Sequence, residues 1–265
     1  MTGTREKIIK LNLEGDSAGD KFPPLKENVA EAAMKLFDET RHEGEGLFYD
    51  LSHDLNYYTR VLGATKNLNV RQEQLNAIIA GLENYSESEN WSAKAGLFLT
   101  ALIQNSKQKE FEIKMERGPA FLGFMLGRGK TITLKGDAGG RTGMSLAGGT
   151  LNIEGDVGMY TGQLMDAGVI NVTGNAGNYT GVGMRNGTIK IGGDVGENTG
   201  KGMIGGHIHI KGNAGRGLGD KMKGGGITVN GEMADLAASV GGMKDEGPKP
   251  EGGQIWNKRV KIWGK

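Results

Sequence analysis

Along the second half of the chain, apolar residues sit two apart in six short segments: TITLK, TLNIE, VINVT, TIKIG, HIHIK and GITVN. The pairs are Ile132/Leu134, Leu151/Ile153, Ile170/Val172, Ile189/Ile191, Ile208/Ile210 and Ile227/Val229. A period of two buries one face of a strand and exposes the other. Successive pairs follow a constant 19-residue step. That spacing is too short for a strand, a helix and two loops, and suits one coil of a parallel β-helix. The first hundred residues follow a different period. In LKENVAEAAMKLFDETR (25–41), VRQEQLNAIIAGLENY (70–85) and WSAKAGLFLTALIQNS (91–106), apolar residues recur at helical spacing, which predicts three helices. The polar stretch ENYSESENWS (83–92) reads as a link between the last two.

Glycine follows the same 19-residue register. Of 48 glycines, 40 lie after residue 115, a composition break that marks a domain boundary. One column runs Gly136, Gly155, Gly174, Gly193, Gly212, Gly231; a second Gly139, Gly158, Gly177, Gly196, Gly215; a third Gly143, Gly162, Gly181, Gly200, Gly219. Methionine forms a fourth at 165, 184, 203 and 222, with Leu146 one repeat earlier. A stretch such as TGNAGNYTGVGM (173–184) raises the question of a phosphate cradle. A dinucleotide fingerprint, however, occurs once, between a strand and a helix. Recurrence in every coil assigns these glycines to corners with φ > 0 or with close backbone approach. Asp137, Asp156, Asn175, Asp194 and Asn213 follow the first column, as turn residues do, and Ala138, Val157, Ala176, Val195 and Ala214 are expected to point inward.

The repeat G-x-I-x-I-x-G-[DN]-[AV]-G-x-x-[TL]-G-x-x-M, as in GTIKIGGDVGENTGKGM (187–203), resembles the GXGXG-repeat family over about 110–243. That family includes the C-terminal domain of the large subunit of glutamate synthase and the scaffold subunit of formylmethanofuran dehydrogenase. The resemblance implies a right-handed single-stranded β-helix with a largely architectural role beside catalytic partners. It supplies no catalytic residue to carry over. The overall expectation is an α+β chain: a mainly helical domain over 1–108, a β-helix of 19-residue coils over 109–243, and a tail over 244–265. The helical domain either caps the first coil, since an open end exposes strand edges, or stands as a separate module. The tail, with Trp256 and Trp263, either docks on a partner or folds back on the coils.

A net charge of +1 gives no reason to expect a nucleic-acid partner or an anionic membrane surface. No apolar run approaches the length of a membrane span, and the first residues lack a signal peptide's apolar core. With no cysteine, disulfides, thiolate metal sites and a cysteine nucleophile are excluded. The expected setting is the cytoplasm, with protein partners and no cofactor; a homo-oligomer is a further possibility.

Two clusters are candidate chemistry. His207 and His209, at i and i+2 on one strand, present two imidazoles on one outward face, a start for a metal site. Two ligands alone are too few, and Lys190 and Lys211 beside them repel a cation. Asp50, His53 and Asp54 lie close together near three tyrosines, titratable groups suited to a site between the helical domain and the first coils. The methionines read as core packing, Tyr160 and Tyr179 as a stacked pair, and the Asp/Asn column as turn residues whose alternation relieves repulsion between coils. The glycines Gly136, Gly155, Gly174, Gly193 and Gly212 read as structural.

Overall fold

The computed structural model describes residues 29–39, 51–84, 91–234, 252–258 and 260–263. Among these, four helices come first: α1 (Val29–Glu39), α2 (Leu51–Ala64), α3 (Gln72–Glu83) and α4 (Trp91–Asn105). Nine strands follow: β1 (Glu110–Lys114), β2 (Thr131–Lys135), β3 (Ala147–Glu154), β4 (Ala167–Val172), β5 (Thr188–Ile191), β6 (His207–Ile210), β7 (Gly226–Val229), β8 (Gln254–Asn257) and β9 (Val260–Trp263). They form one sheet in chain order. Each strand from β1 to β8 pairs in parallel with the next, and β9 turns back antiparallel to β8. The architecture is therefore a parallel β-solenoid behind a helical segment, as the two hydrophobic periods predict.

From Thr131 to Gly226 the aliphatic segments keep the 19-residue register at every coil, as in Thr131↔Thr150 and Thr188↔His207, with one irregularity at the start of β3, where Ala147 pairs with Ala167. The inner aliphatic pairs stack directly, Ile132 on Leu151 on Ile170 and onward to Ile227, all fully buried. Met165, Met184, Met203 and Met222 are fully buried in the same core. The small column, Ala138 to Ala214, pairs coil to coil through single bridges at a corner. A buried threonine column completes the interior. The hydroxyls of Thr142, Thr161, Thr180 and Thr199 donate to the carbonyls of Gly139, Gly158, Gly177 and Gly196 at 2.9–3.1 Å. A buried hydroxyl without such a partner costs about 1–3 kcal/mol, and here each coil satisfies its own.

The Asp/Asn column does more than turn the chain. The backbone N–H of Asp156 donates to the carboxylate of Asp137 at 2.8 Å, Asn175 to Asp156 at 2.6 Å, and Asp194 to Asn175 at 2.8 Å. Asn213 donates to Asp194 at 2.7 Å and Glu232 to Asn213 at 2.8 Å. Each side chain thus holds the backbone of the next coil, which ties the corners together as the strands tie the sheet.

The first end of the sheet is covered, and the last is extended by a hairpin. β1 is the first edge, and an open edge is a template for unwanted pairing. The Gln72 side chain of α3 pairs with it in both directions: its amide donates to the Glu112 carbonyl at 2.6 Å and accepts from the Glu112 N–H at 2.8 Å. The apolar helix α4 covers the interior of the first coil. Gly96 lets it come so close that a Cβ there would lie 1.7 Å from the Ala120 oxygen. Thr100 Oγ1 accepts from Gly123 N–H at 2.8 Å, Gln104 Oε1 from Gly127 N–H at 3.0 Å, and Ser92 from Ala120 N–H. One continuous core runs from Phe37 and Phe98 in the helices through Ile132 to Ile255. At the other end β8 adds a rung after a longer excursion of the chain, placing Ile255 beside Ile227. The tail folds back.

α2 occupies the stretch in which the sequence shows a cluster of titratable residues and predicts no helix. Its buried face is Tyr57, Tyr58 and Val61, and the helix packs against α4. Aromatic and polar residues dilute the aliphatic period there, although Tyr57, Val61 and Thr65 do keep an i, i+4 spacing.

Candidate functional site

α2 carries Asp54 to the junction between helices and coils. The facing side chain is Arg141, only 6% exposed, in the turn of the second coil. Its guanidinium lies 5.5 Å from the Phe121 ring centroid and 5.3 Å from that of Tyr160. Tyr160 stacks on Tyr179 at 5.0 Å with an angle of 7° between the rings, so cation and rings form one pile across successive coils. Burial pulls the Arg141 pKa down, while the negative charge of Asp54 and the Tyr160 hydroxyl hold it up. Arginine stays protonated through this contest because its ordinary pKa is so high. Beside it Tyr58 meets Phe124 edge-on at 5.1 Å, and burial raises its hydroxyl pKa far above the usual value.

The register puts these groups together for a simple reason. Arg141, Tyr160 and Tyr179 occupy the same place in consecutive coils, each in the left-handed region at φ 59°, 64° and 61°. Equivalent turn positions in successive coils superpose their side chains, so planar groups there can stack. Asp54 is therefore brought to a partner, Arg141, that no local sequence pattern announces. Asp50 lies outside the described residues, and the His53 side chain is likewise not among those described, though its backbone is in α2.

His207 and His209 lie on β6 with both rings outward and exposed. Their centroids are 6.2 Å apart at 16°, a parallel arrangement set by the two-residue strand period. Thr188 and Lys190 flank them on β5, Gly226 and Thr228 on β7. The His209 pKa is pushed below the usual imidazole value, by partial burial first and then by the positive neighbours His207 and Lys190. Among the described residues no group of three or more His, Asp or Glu side chains is placed to hold a metal ion, so this pair acquires no third ligand there.

A third polar feature lies inside the turn column. Asp220 is 2% exposed, and Lys201 from the coil before reaches it with Nζ 2.7 Å from Oδ2. The pairing raises the Lys201 pKa through the hydrogen bond and the charge of Asp220, against some desolvation. Gln163 and Val182 precede Lys201 at the same place in earlier coils, so this ion pair is a local replacement in a repeat position rather than part of the pattern. Among the described residues no helix is long and apolar enough to cross a membrane. Comparison of the chain with family models, with curated proteins and with solved structures finds no match.

Proposed function

We propose that the chain is a non-catalytic scaffold, an interaction subunit that holds catalytic partners in a multi-subunit redox or amidotransferase-type assembly. The resemblance of its repeat to the GXGXG family supports this reading and suggests a role like that of the formylmethanofuran dehydrogenase scaffold subunit or the glutamate synthase domain. The observation that carries it is the way the solenoid ends are finished. Gln72 and α4 seal the first coil, and the antiparallel β8–β9 hairpin ends the parallel stack. The sides remain for contact, and along one of them eight parallel strands make a continuous ruled surface. Side-chain ladders between coils hold it stiff, which suits a spacer between other proteins. The lack of cysteine in the sequence fits a cytoplasmic setting. Affinity purification of the chain at native abundance tests the proposal. A stoichiometric protein partner is expected, and a chain that comes through by itself contradicts it.

The junction supports a second reading, a small-ligand or catalytic site between helical domain and coils. The specific observation is the Asp54 charge acting on the buried Arg141 between two aromatic rings. Replacing His53 and Asp54 together with alanine tests this reading. Loss of ligand-induced thermal stabilisation supports it, and stabilisation unchanged in the variant removes it.

A further inference from the structure

The outward face of the sheet changes character along the solenoid. On β1 to β3 the outward charges are mixed: Glu110, Glu112, Lys114, Lys135 and Glu154, with Lys135 Nζ 3.0 Å from Glu112. β4 is neutral there, with Val169 and Asn171. From β5 onward the sign is single. Lys190, His207, His209, Lys211, Lys258 and Lys261 are all exposed, and among the described residues no carboxylate occupies an outward position of β5 to β9.

Register gathers part of this set into a line. Lys190 pairs with His209, His209 with Thr228, Thr228 with Trp256, and Trp256 with Lys261 across the hairpin. At about 4.8 Å per rung the line is about 19 Å long. Trp256 is half-buried in it, with Lys261 Nζ 6.0 Å from its ring centroid. Lys190 and His209 sit on adjacent rungs, where like charges repel one another, and an anionic partner relieves that repulsion. A half-buried tryptophan among cations is also the residue type that anchors protein interfaces.

We infer that this stripe docks an acidic segment of a partner protein, about six residues long if extended at about 3.3 Å per residue. The inference rests on the scaffold reading and names the chemistry of the partner. A protein segment fits better than single-stranded nucleic acid, which is held by successive aromatic rings along a charged groove. Among the described residues this stripe offers one indole, its other rings being imidazoles, and a chain of net charge +1 has no broad positive field for a polyanion. His209 adds pH dependence. The charged groups facing it are Lys190 on β5, His207 on its own strand and Lys211 just after it, while β7 contributes Thr228. His207 and Lys190 oppose its protonation, and an acidic segment laid across it favours protonation.

The test uses the full chain and a fluorescein-labelled deca-glutamate peptide at low salt, followed by anisotropy. Deca-glutamine and a thymidine decamer serve as comparison ligands. Binding of deca-glutamate is expected to weaken at least about tenfold in Lys190→Glu/Lys211→Glu. It should stay unchanged in Lys66→Glu, a reversal on an exposed turn after α2. Should the double reversal fail to fold, as read by circular dichroism, Lys190→Gln/Lys211→Gln replaces it with a smaller loss expected. Affinity is further expected to rise from about pH 7.5 to about pH 5.5 in the wild type and to rise less in His209→Asn. Equal binding by wild type and the lysine variants overturns the inference, as does a thymidine decamer bound as tightly as the peptide. Purification at native abundance with both chains separates the two proposals. No partner with the wild type removes the scaffold reading, whereas the same partner retained by wild type and reversal removes the stripe alone.

Discussion

At the residue scale, the glycine columns solve two different problems. The third column, Gly143 to Gly219, is left-handed at φ of 66–71°, and a Cβ there would also strike an inner isoleucine at 2.4–2.9 Å. In the first column, Gly155, Gly174, Gly193 and Gly212 are not left-handed; they leave room for the Asp or Asn oxygen of the coil before. A Cβ on Gly174 would lie 2.1 Å from Asp156 Oδ1, the acceptor for the Asn175 N–H. Gly174→Ala is therefore expected to cost about 2–4 kcal/mol, through lost space and a lost hydrogen bond. Gly202→Ala makes the contrast. That residue is left-handed at φ 63° with nothing within 4 Å of a Cβ, so only the backbone penalty of about 1–2 kcal/mol applies. Urea denaturation of the two variants checks the ordering. The columns themselves are plain in the sequence. Their division between handedness and close approach is not, and neither are the left-handed Phe121, Arg141, Tyr160 and Tyr179, which no glycine marks.

The Lys201–Asp220 pair makes a second residue-scale prediction. Lys201→Met leaves a buried carboxylate without its cation and is expected to cost about 2 kcal/mol, discounted because the lysine side chain is 35% exposed. Lys201→Met combined with Asp220→Asn should recover part of that loss. Because pairing raises the Lys201 pKa, its contribution is complete at neutral pH. It disappears only as pH rises above the ordinary lysine range, through the raised value. Urea midpoints across neutral and alkaline pH check the sign.

At the element scale, the cap depends on α4 supplying acceptors to the first coil. Thr100 is fully buried, and its hydroxyl both donates to the Gly96 carbonyl and accepts from the Gly123 N–H. Thr100→Val keeps the shape and orphans that N–H, with an expected loss of about 1–3 kcal/mol. Hydrogen exchange should quicken first around residues 119–127, where the coil meets the helix; a uniform change along the chain would contradict the cap. Helices α1, α3 and α4 follow from apolar spacing, because their buried faces are largely apolar and regular. α2 escapes detection because tyrosine, histidine and asparagine interrupt that spacing. The Asp54–Arg141 approach is hidden for the further reason that its two residues are far apart in the chain and in different kinds of structure.

At the scale of the whole molecule, each coil touches mainly its neighbours, so one coil can be removed if the register is kept. Deleting residues 174–192 joins Thr173 to Gly193, the equivalent of Gly174. The shortened chain is expected to keep its β-sheet circular dichroism with a lower Tm. Deleting one residue fewer leaves an extra residue in the joined coil, which must bulge at a corner or turn that coil's aliphatic pair outward, and that chain should melt below the one with the 19-residue deletion. The solenoid is legible because its repeat is unbroken from Thr131 to Gly226. The eighth rung is not, since the step from Ile227 to Ile255 breaks the period and only pairing reveals it.

The scaffold proposal stands or falls on the native mass of the chain purified at its natural level. A complex heavier than the 28.1 kDa chain is expected, containing at least one different protein in a whole-number ratio. A mass equal to the single chain, or to a simple multiple of it, would contradict the scaffold role.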